Sequence, residues 1–218
     1  MTEPSYLNTT RIAYDTVAAD YAELLRDNLA QSPLDRAMLG AFADRVKADG
    51  NGEVGDLGCG PGRVTEHLHS LGLNAFGVDL SPGMIAVARS MYPELRFDEG
   101  QLTALDIKDA ALGGVVAWYS IIHTPLEVLP KIFAEFARVL APGGQLLMAF
   151  QVGENERKHI QQAYGHELSA YAYRLSPDHI TELLSEAGFT VDARLIREPA
   201  IDLEKSQQAY LLGTKTGE

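Results

Sequence analysis

Glu53-Val54-Gly55-Asp56-Leu57-Gly58-Cys59-Gly60-Pro61-Gly62 decides how the rest of this chain reads. A short apolar run ends in an acid, three glycines alternate, and Arg63 opens a helical pattern through Val64, Leu68 and Leu71. That is a strand, a tight turn and a helix start. Glycine adopts backbone angles other residues avoid and lets a ligand come close to the chain. The helix start offers free N–H groups and the positive end of a dipole, suited to an anionic group. Further on, a second strand, Asn74-Ala75-Phe76-Gly77-Val78, ends in Asp79. A carboxylate at that tip can accept from both hydroxyls of a ribose. The stretch therefore predicts a chain built to hold a nucleoside-containing cofactor.

Spacing narrows the cofactor. The dinucleotide fingerprint G-x-G-x-x-G needs its third glycine at position 63, where Arg63 stands. The pattern Asp-x-Gly-x-Gly-x-Gly, together with Asp79, instead resembles the class I, Rossmann-like S-adenosylmethionine (SAM)-dependent methyltransferases of the small-molecule type. The resemblance implies an α/β fold: a doubly wound, mostly parallel seven-stranded sheet whose last strand is antiparallel, with an N-terminal helical lid. It implies SAM as cofactor and S-adenosylhomocysteine as product. It also implies cofactor contacts from Gly58, Gly60, Asp79, Leu80, Met84, Gln101 and Leu102, with Asp56 organising the glycine turn near the cofactor's ammonium. Leu80 and Met84 would pack on an adenine face. Gly100-Gln101-Leu102 stands where the family often has Gly-Asp-Ala, and a glutamine oxygen can still accept from the adenine amino group. Gly55 is a second departure, in place of a bulkier apolar residue, and weakens a strand without touching a ligand role.

Composition bounds the alternatives. With 218 residues and 46% hydrophobic content, the chain suits one globular domain. No run of about 18 apolar residues predicts a membrane span. Met1-Thr2-Glu3-Pro4-Ser5 lacks the features of a signal peptide, and Cys59, the single cysteine, has no disulfide partner; both lead to a cytoplasmic expectation. Cys59 itself reads as a small residue fitting the turn. A net charge of −12 repels phosphate backbones, so no nucleic-acid partner is expected. No metal is expected either: His67 and His69 point to different faces of a helix, and His159 and His166 lack a third ligand. Oligomeric state stays open.

Along the chain, residues 1–218 read as one domain: N-terminal helices over 1–50, a cofactor-binding core over 51–151, an insertion over 152–175, and a helix with a β-hairpin over 176–218. Thr10 to Asn28 has helical periodicity and carries Tyr14-Asp15-x-x-Ala18-x-x-Tyr21, similar to a lid segment of small-molecule methyltransferases. That likeness makes Tyr14 and Tyr21 candidates for covering the cofactor's methionine end. Ser32-Pro33, Ser81-Pro82, Thr124-Pro125 and Ser176-Pro177 each read as a helix N-cap followed by proline. Between helices lie strand-like runs at Glu53–Leu57, Asn74–Val78, Leu95–Phe97, Gly114–Tyr119 and Gly144–Phe150. Their alternation with helices implies right-handed crossovers and a parallel sheet. Gly153 to Leu175 reads as irregular and polar, a possible lid over the acceptor. After the helix Pro177–Ala187, the runs Thr190–Ile196 and Gln208–Thr214 suit a closing antiparallel pair.

A sulfonium methyl transfer is an in-line displacement, so alignment is the main catalytic task, with a general base where a hydroxyl attacks. Residues at the carboxyl ends of parallel strands face the ligand crevice. The resemblance implies that Tyr119 and Ser120 line the site around the sulfonium and the acceptor; Tyr119 and His123 are the catalytic candidates, and His123, His166 and Tyr173 are the acceptor candidates. Trp118 reads as core. Two other readings remain: a nicotinamide-dependent Rossmann oxidoreductase, and a non-catalytic SAM-binding module whose acceptor space is filled.

Overall fold

Residues 4–50, 52–201 and 204–217 are described in the computed structural model. Met1 to Glu3, on which the leader reading partly rests, lie outside them.

Two short strands, β1 (Val54–Leu57) and β2 (Ala75–Asp79), pair in parallel at the centre, and β3 (Phe97–Glu99) extends them on one side. On the other side β1 pairs with β4 (Leu112–Trp118), and β4 with β5 (Leu140–Gln151), again in parallel. β8 (Phe189–Arg197) and β9 (Gln208–Lys215) close the sheet, which runs in the order β3-β2-β1-β4-β5-β9-β8. Only β9 opposes the rest, pairing antiparallel with both β5 and β8. This is the sheet the sequence predicts. The turn expected at 141–144 bulges out of β5, where the register jumps from Leu112↔Leu140 to Gly114↔Gln145.

Helices cover both faces. α3 (Pro33–Ala48) and α4 (Arg63–Ser70) bury Phe42, Val46 and Leu68 against one face; α6 (Leu129–Val139) and α7 (Pro177–Glu186) bury Phe133, Phe136, Ile180 and Leu184 against the other. α5 (Pro82–Met91) follows β2 and is capped by Ser81 Oγ, which accepts from Met84 N at 3.0 Å. Ser176 caps α7 in the same way, on His179 N.

Several local expectations are corrected. Ser32 precedes α3 but does not cap it, because its hydroxyl donates to the Asn28 carbonyl at 2.8 Å. Thr124-Pro125 opens a 3₁₀ turn, Leu126–Val128, and α6 begins only at Leu129. The first helix, α1, spans Ser5–Leu24 rather than 10–28, and a single turn, α2 (Asn28–Gln31), follows. β3 begins where the expected Leu95–Phe97 run ends. The stretch 153–175 is not irregular: β6 (Arg157–Ala163) and β7 (His166–Tyr173) form an antiparallel hairpin of their own. Its two-residue loop, Tyr164 and Gly165, has φ of 53° and 82°, the positive pair a tight twisted hairpin turn needs.

Candidate active site

The glycine loop is bent as its sequence demands. Gly58, Gly60 and Gly62 have φ of 84°, 54° and 85°. A Cβ on Gly58 would stand 2.2 Å from Ser120 Cβ, and one on Gly62 2.7 Å from the Phe97 ring. Both positions are closed to any larger residue. Asp79 ties the loop to the end of β2: Oδ2 accepts from Gly60 N and Oδ1 from Ser81 N, each at 2.8 Å. Each oxygen keeps a further lone pair for a ligand hydroxyl. Burial raises the Asp79 pKa above the ordinary carboxylate value, while those two N–H groups pull it down.

One cavity of about 260 Å³ opens along the carboxyl edge of the sheet. Gly58, Gly60, Asp79, Leu80, Met84, Gln101 and Leu102 border it over β1 to β3. Tyr119, Ser120 and His123 border it past the end of β4, and Tyr14 and Tyr21 reach it from α1. Asp56 does not. It is fully buried below the loop, accepting from Thr65 Oγ1 at 2.7 Å, with Oδ1 unpartnered. Burial lifts its pKa to about 7. The Cys59 thiol is also buried, with its pKa pushed well up by that burial.

Two acceptor candidates lie off the cavity wall. His166 bonds Asp20 of α1 through Nε2 at 2.7 Å, and Tyr173 packs against the main core. From the hairpin it is Tyr164 that enters the wall, its ring edge-on to Tyr21 at 5.0 Å. Trp118 serves both core and wall, and its indole N–H has no partner among the described residues.

Contacts between residues far apart in sequence fix α1. Asp15 Oδ1 accepts from Ser81 Oγ at 2.5 Å and Gly83 N at 2.9 Å, anchoring α1 on the first turn of α5. His123 joins three elements. Its Nδ1 lies 2.7 Å from the Tyr171 carbonyl, which can only accept, so Nδ1 carries the proton of the neutral ring. Its Nε2 is then the acceptor for the Tyr14 hydroxyl, 2.7 Å away. Burial lowers the His123 pKa below its ordinary value, which keeps the ring neutral. Tyr119 sits at φ 58°, a left-handed conformation costly for a bulky residue, at the point where β4 meets the cavity.

The residues present fit the cofactor that the resemblance implies. Among the described residues, Arg63 borders the cavity with Nη1 buried and unpartnered, matched to a carboxylate, and Ser120 Oγ beside Gly58 is also unpartnered. Asp79 offers acceptors to a ribose, and Gln101 an amide to an adenine edge.

Residues 54–144 match the family model of the methyltransferase domain. Fold, loop and matched segment together give residues 54–144 a methyltransferase domain within the fold of the class I SAM-dependent methyltransferases. The chain is 31% identical over 160 residues to trans-aconitate 2-methyltransferase of Rhizobium meliloti, covering 71% of this chain and 55% of that protein. It is 30% identical over 142 residues to demethylmenaquinone methyltransferase of Chlorobaculum parvum, covering 63% and 57%. It thus spans little more than half the length of these relatives. The structure of 1,6-didemethyltoxoflavin-N1-methyltransferase from Burkholderia thailandensis, with 1,6-didemethyltoxoflavin and S-adenosylhomocysteine bound, matches at TM-score 0.74 and 19% identity. That match covers 100% of this chain and 92% of that one. No helix among the described residues is long and apolar enough to cross a membrane.

Proposed function

We propose that this chain moves the sulfonium methyl of SAM to a small-molecule acceptor by in-line displacement. One observation carries the reading: a single cavity runs from Asp79 and the glycine loop past Ser120 to Tyr119 and His123. A SAM-binding module without an acceptor would have that second half filled. The relatives named for trans-aconitate and demethylmenaquinone act on small molecules, which supports the acceptor class without choosing its reacting atom.

SAM, when bound, supplies a methyl carbon already activated by positive charge on sulfur, so the protein's work is alignment and proton handling. Asp79, Leu80, Met84 and Gln101 fix the nucleoside, and Arg63 takes the carboxylate. Tyr14, Tyr21 and Tyr164 close over the methionine end and keep water out. For a hydroxyl acceptor, Tyr14 and His123 form a relay. The acceptor proton would pass to Tyr14 Oη as the Tyr14 proton moves to His123 Nε2, freeing the acceptor oxygen's electron pair to displace sulfur at the methyl carbon, with the carbon–sulfur pair leaving on S-adenosylhomocysteine.

Incubating the chain with SAM and fractionated metabolites, and following release of S-adenosylhomocysteine, tests the proposal. Fraction-dependent release, abolished in Gly58→Val, is the expected result. Tight SAM binding with no release in any fraction would favour the non-catalytic reading.

A further inference from the structure

Resting on the methyl-transfer reading, we infer that the half of the cavity over β4, β5 and β9 anchors a cationic nitrogen of the acceptor, a protonated amine or amidinium. Asp35, in the first turn of α3, and Glu204, in the β8–β9 loop, both border this half. They share one cation, Arg197 at the end of β8. Glu204 holds it with both oxygens, at 2.6 and 2.7 Å, and Glu204 Oε2 also accepts from Ala200 N. Asp35 Oδ1 accepts from Tyr210 Oη at 2.6 Å and from Arg197 Nη2 at 3.3 Å. Asp35 Oδ2 accepts none of the hydrogen bonds made by the described residues, although Asp35 is only 3% exposed. Among the described residues two carboxylates thus face one guanidinium, leaving one negative charge in excess and one oxygen of the nearly buried Asp35 without a donor at the cavity wall.

A buried carboxylate oxygen is costly unless something donates to it. The same cavity is lined by neutral groups, Gln151, Gln208 and Asn28, and by Trp118 and Tyr119. Two arginines line the wall itself: Arg11 reaches the Leu80 carbonyl, and Arg63 opens α4 after the glycine loop. A carboxylate acceptor would meet uncompensated negative charge here. A cation would find the free oxygen and aromatic faces that attract positive charge. Because a protonated nitrogen has no lone pair, it serves as an anchor, and the methylated atom lies elsewhere on the molecule, toward Ser120 and His123.

Three probes of nearly equal size decide it: benzylamine, benzyl alcohol and benzoate, titrated by ligand-observed NMR into the full chain saturated with S-adenosylhomocysteine. Benzylamine should bind at least tenfold tighter than benzoate, with benzyl alcohol between. In Asp35→Asn that preference should shrink to within threefold, while the ratio of SAM to S-adenosylhomocysteine affinity stays unchanged. Benzoate binding as tightly as benzylamine, or a preference that survives in Asp35→Asn, would overturn the assignment. So would a selective loss of SAM affinity, since the oxygen would then be reading the sulfonium. If Asp35→Asn fails to melt cooperatively, Glu204→Gln removes the same excess charge, and an unchanged preference there also overturns it. Absence of S-adenosylhomocysteine binding in the wild-type chain would instead contradict the methyl-transfer reading itself.

Discussion

Asp56 lies in β1, one oxygen bonded to Thr65 and the other without a partner among the described residues. Burial raises its pKa from 3.8 to about 7. Between those values the folded chain holds a proton that the unfolded chain has released. The group's contribution to stability is therefore complete below pH 3.8 and is lost as pH rises through about 7. Asp56→Asn keeps an acceptor for Thr65 and removes the titration. Its melting temperature should gain on wild type by roughly 4 °C or more between pH 4.5 and 8, since each kcal/mol shifts a chain of this size by about 2–4 °C. Parallel curves across that range would mean the carboxylate stays ionised. His123 makes a second residue-scale prediction. A neutral ring whose Nε2 faces the Tyr14 hydroxyl suits a proton relay, a role worth roughly 10²–10⁴-fold in rate. His123→Asn should lower turnover at least tenfold while leaving SAM affinity within a few-fold. Normal turnover from pH 6 to 8 would make His123 only a tie between the β4 exit and β7.

At the scale of elements, α1 behaves as a separately anchored cover. It packs Val17 and Ala18 on Met84, ties Asp15 to the α5 N-terminus, and bonds His166 of the hairpin through Asp20. None of its residues pairs with the sheet. Removing residues 1–28 should therefore weaken SAM binding, because Tyr14 and Tyr21 leave the wall, while the remainder still melts in one transition. Unchanged affinity after that truncation, measured by calorimetry, would return both tyrosines to plain packing. The hairpin β6–β7 was the element hardest to read. Arg157, Lys158, His159, Gln161 and Gln162 leave β6 with hardly an apolar face, so no alternation marks it as a strand. Its turn uses Tyr164-Gly165 rather than the usual asparagine-glycine pair.

For the whole molecule, the parts legible in the sequence are those where local chemistry decides structure. The loop glycines, the acid ending β2 and the apolar runs of β1, β4 and β5 announce the sheet and its cofactor edge. The parts with no local signal depend on residues far apart in sequence. Asp35, Arg197, Glu204 and Tyr210 meet only when β8 and β9 fold back beside α3, and Asp15 meets Ser81 only when α1 closes over α5. The same limit applies to His123, whose partners Tyr14 and Tyr171 come from distant stretches of the sequence. Spacing can nominate such residues but cannot pair them.

The account stands most directly on which cofactor this cavity takes. Calorimetric titration of the full chain with SAM, S-adenosylhomocysteine and NADH asks that question, with Asp79→Ala as the control. The account predicts binding of SAM and S-adenosylhomocysteine and no comparable heat from NADH. It also predicts a loss of about 1.5–3 kcal/mol of binding free energy in Asp79→Ala, the worth of a charge-assisted hydrogen bond to the ribose. Tight NADH binding without SAM binding would contradict it.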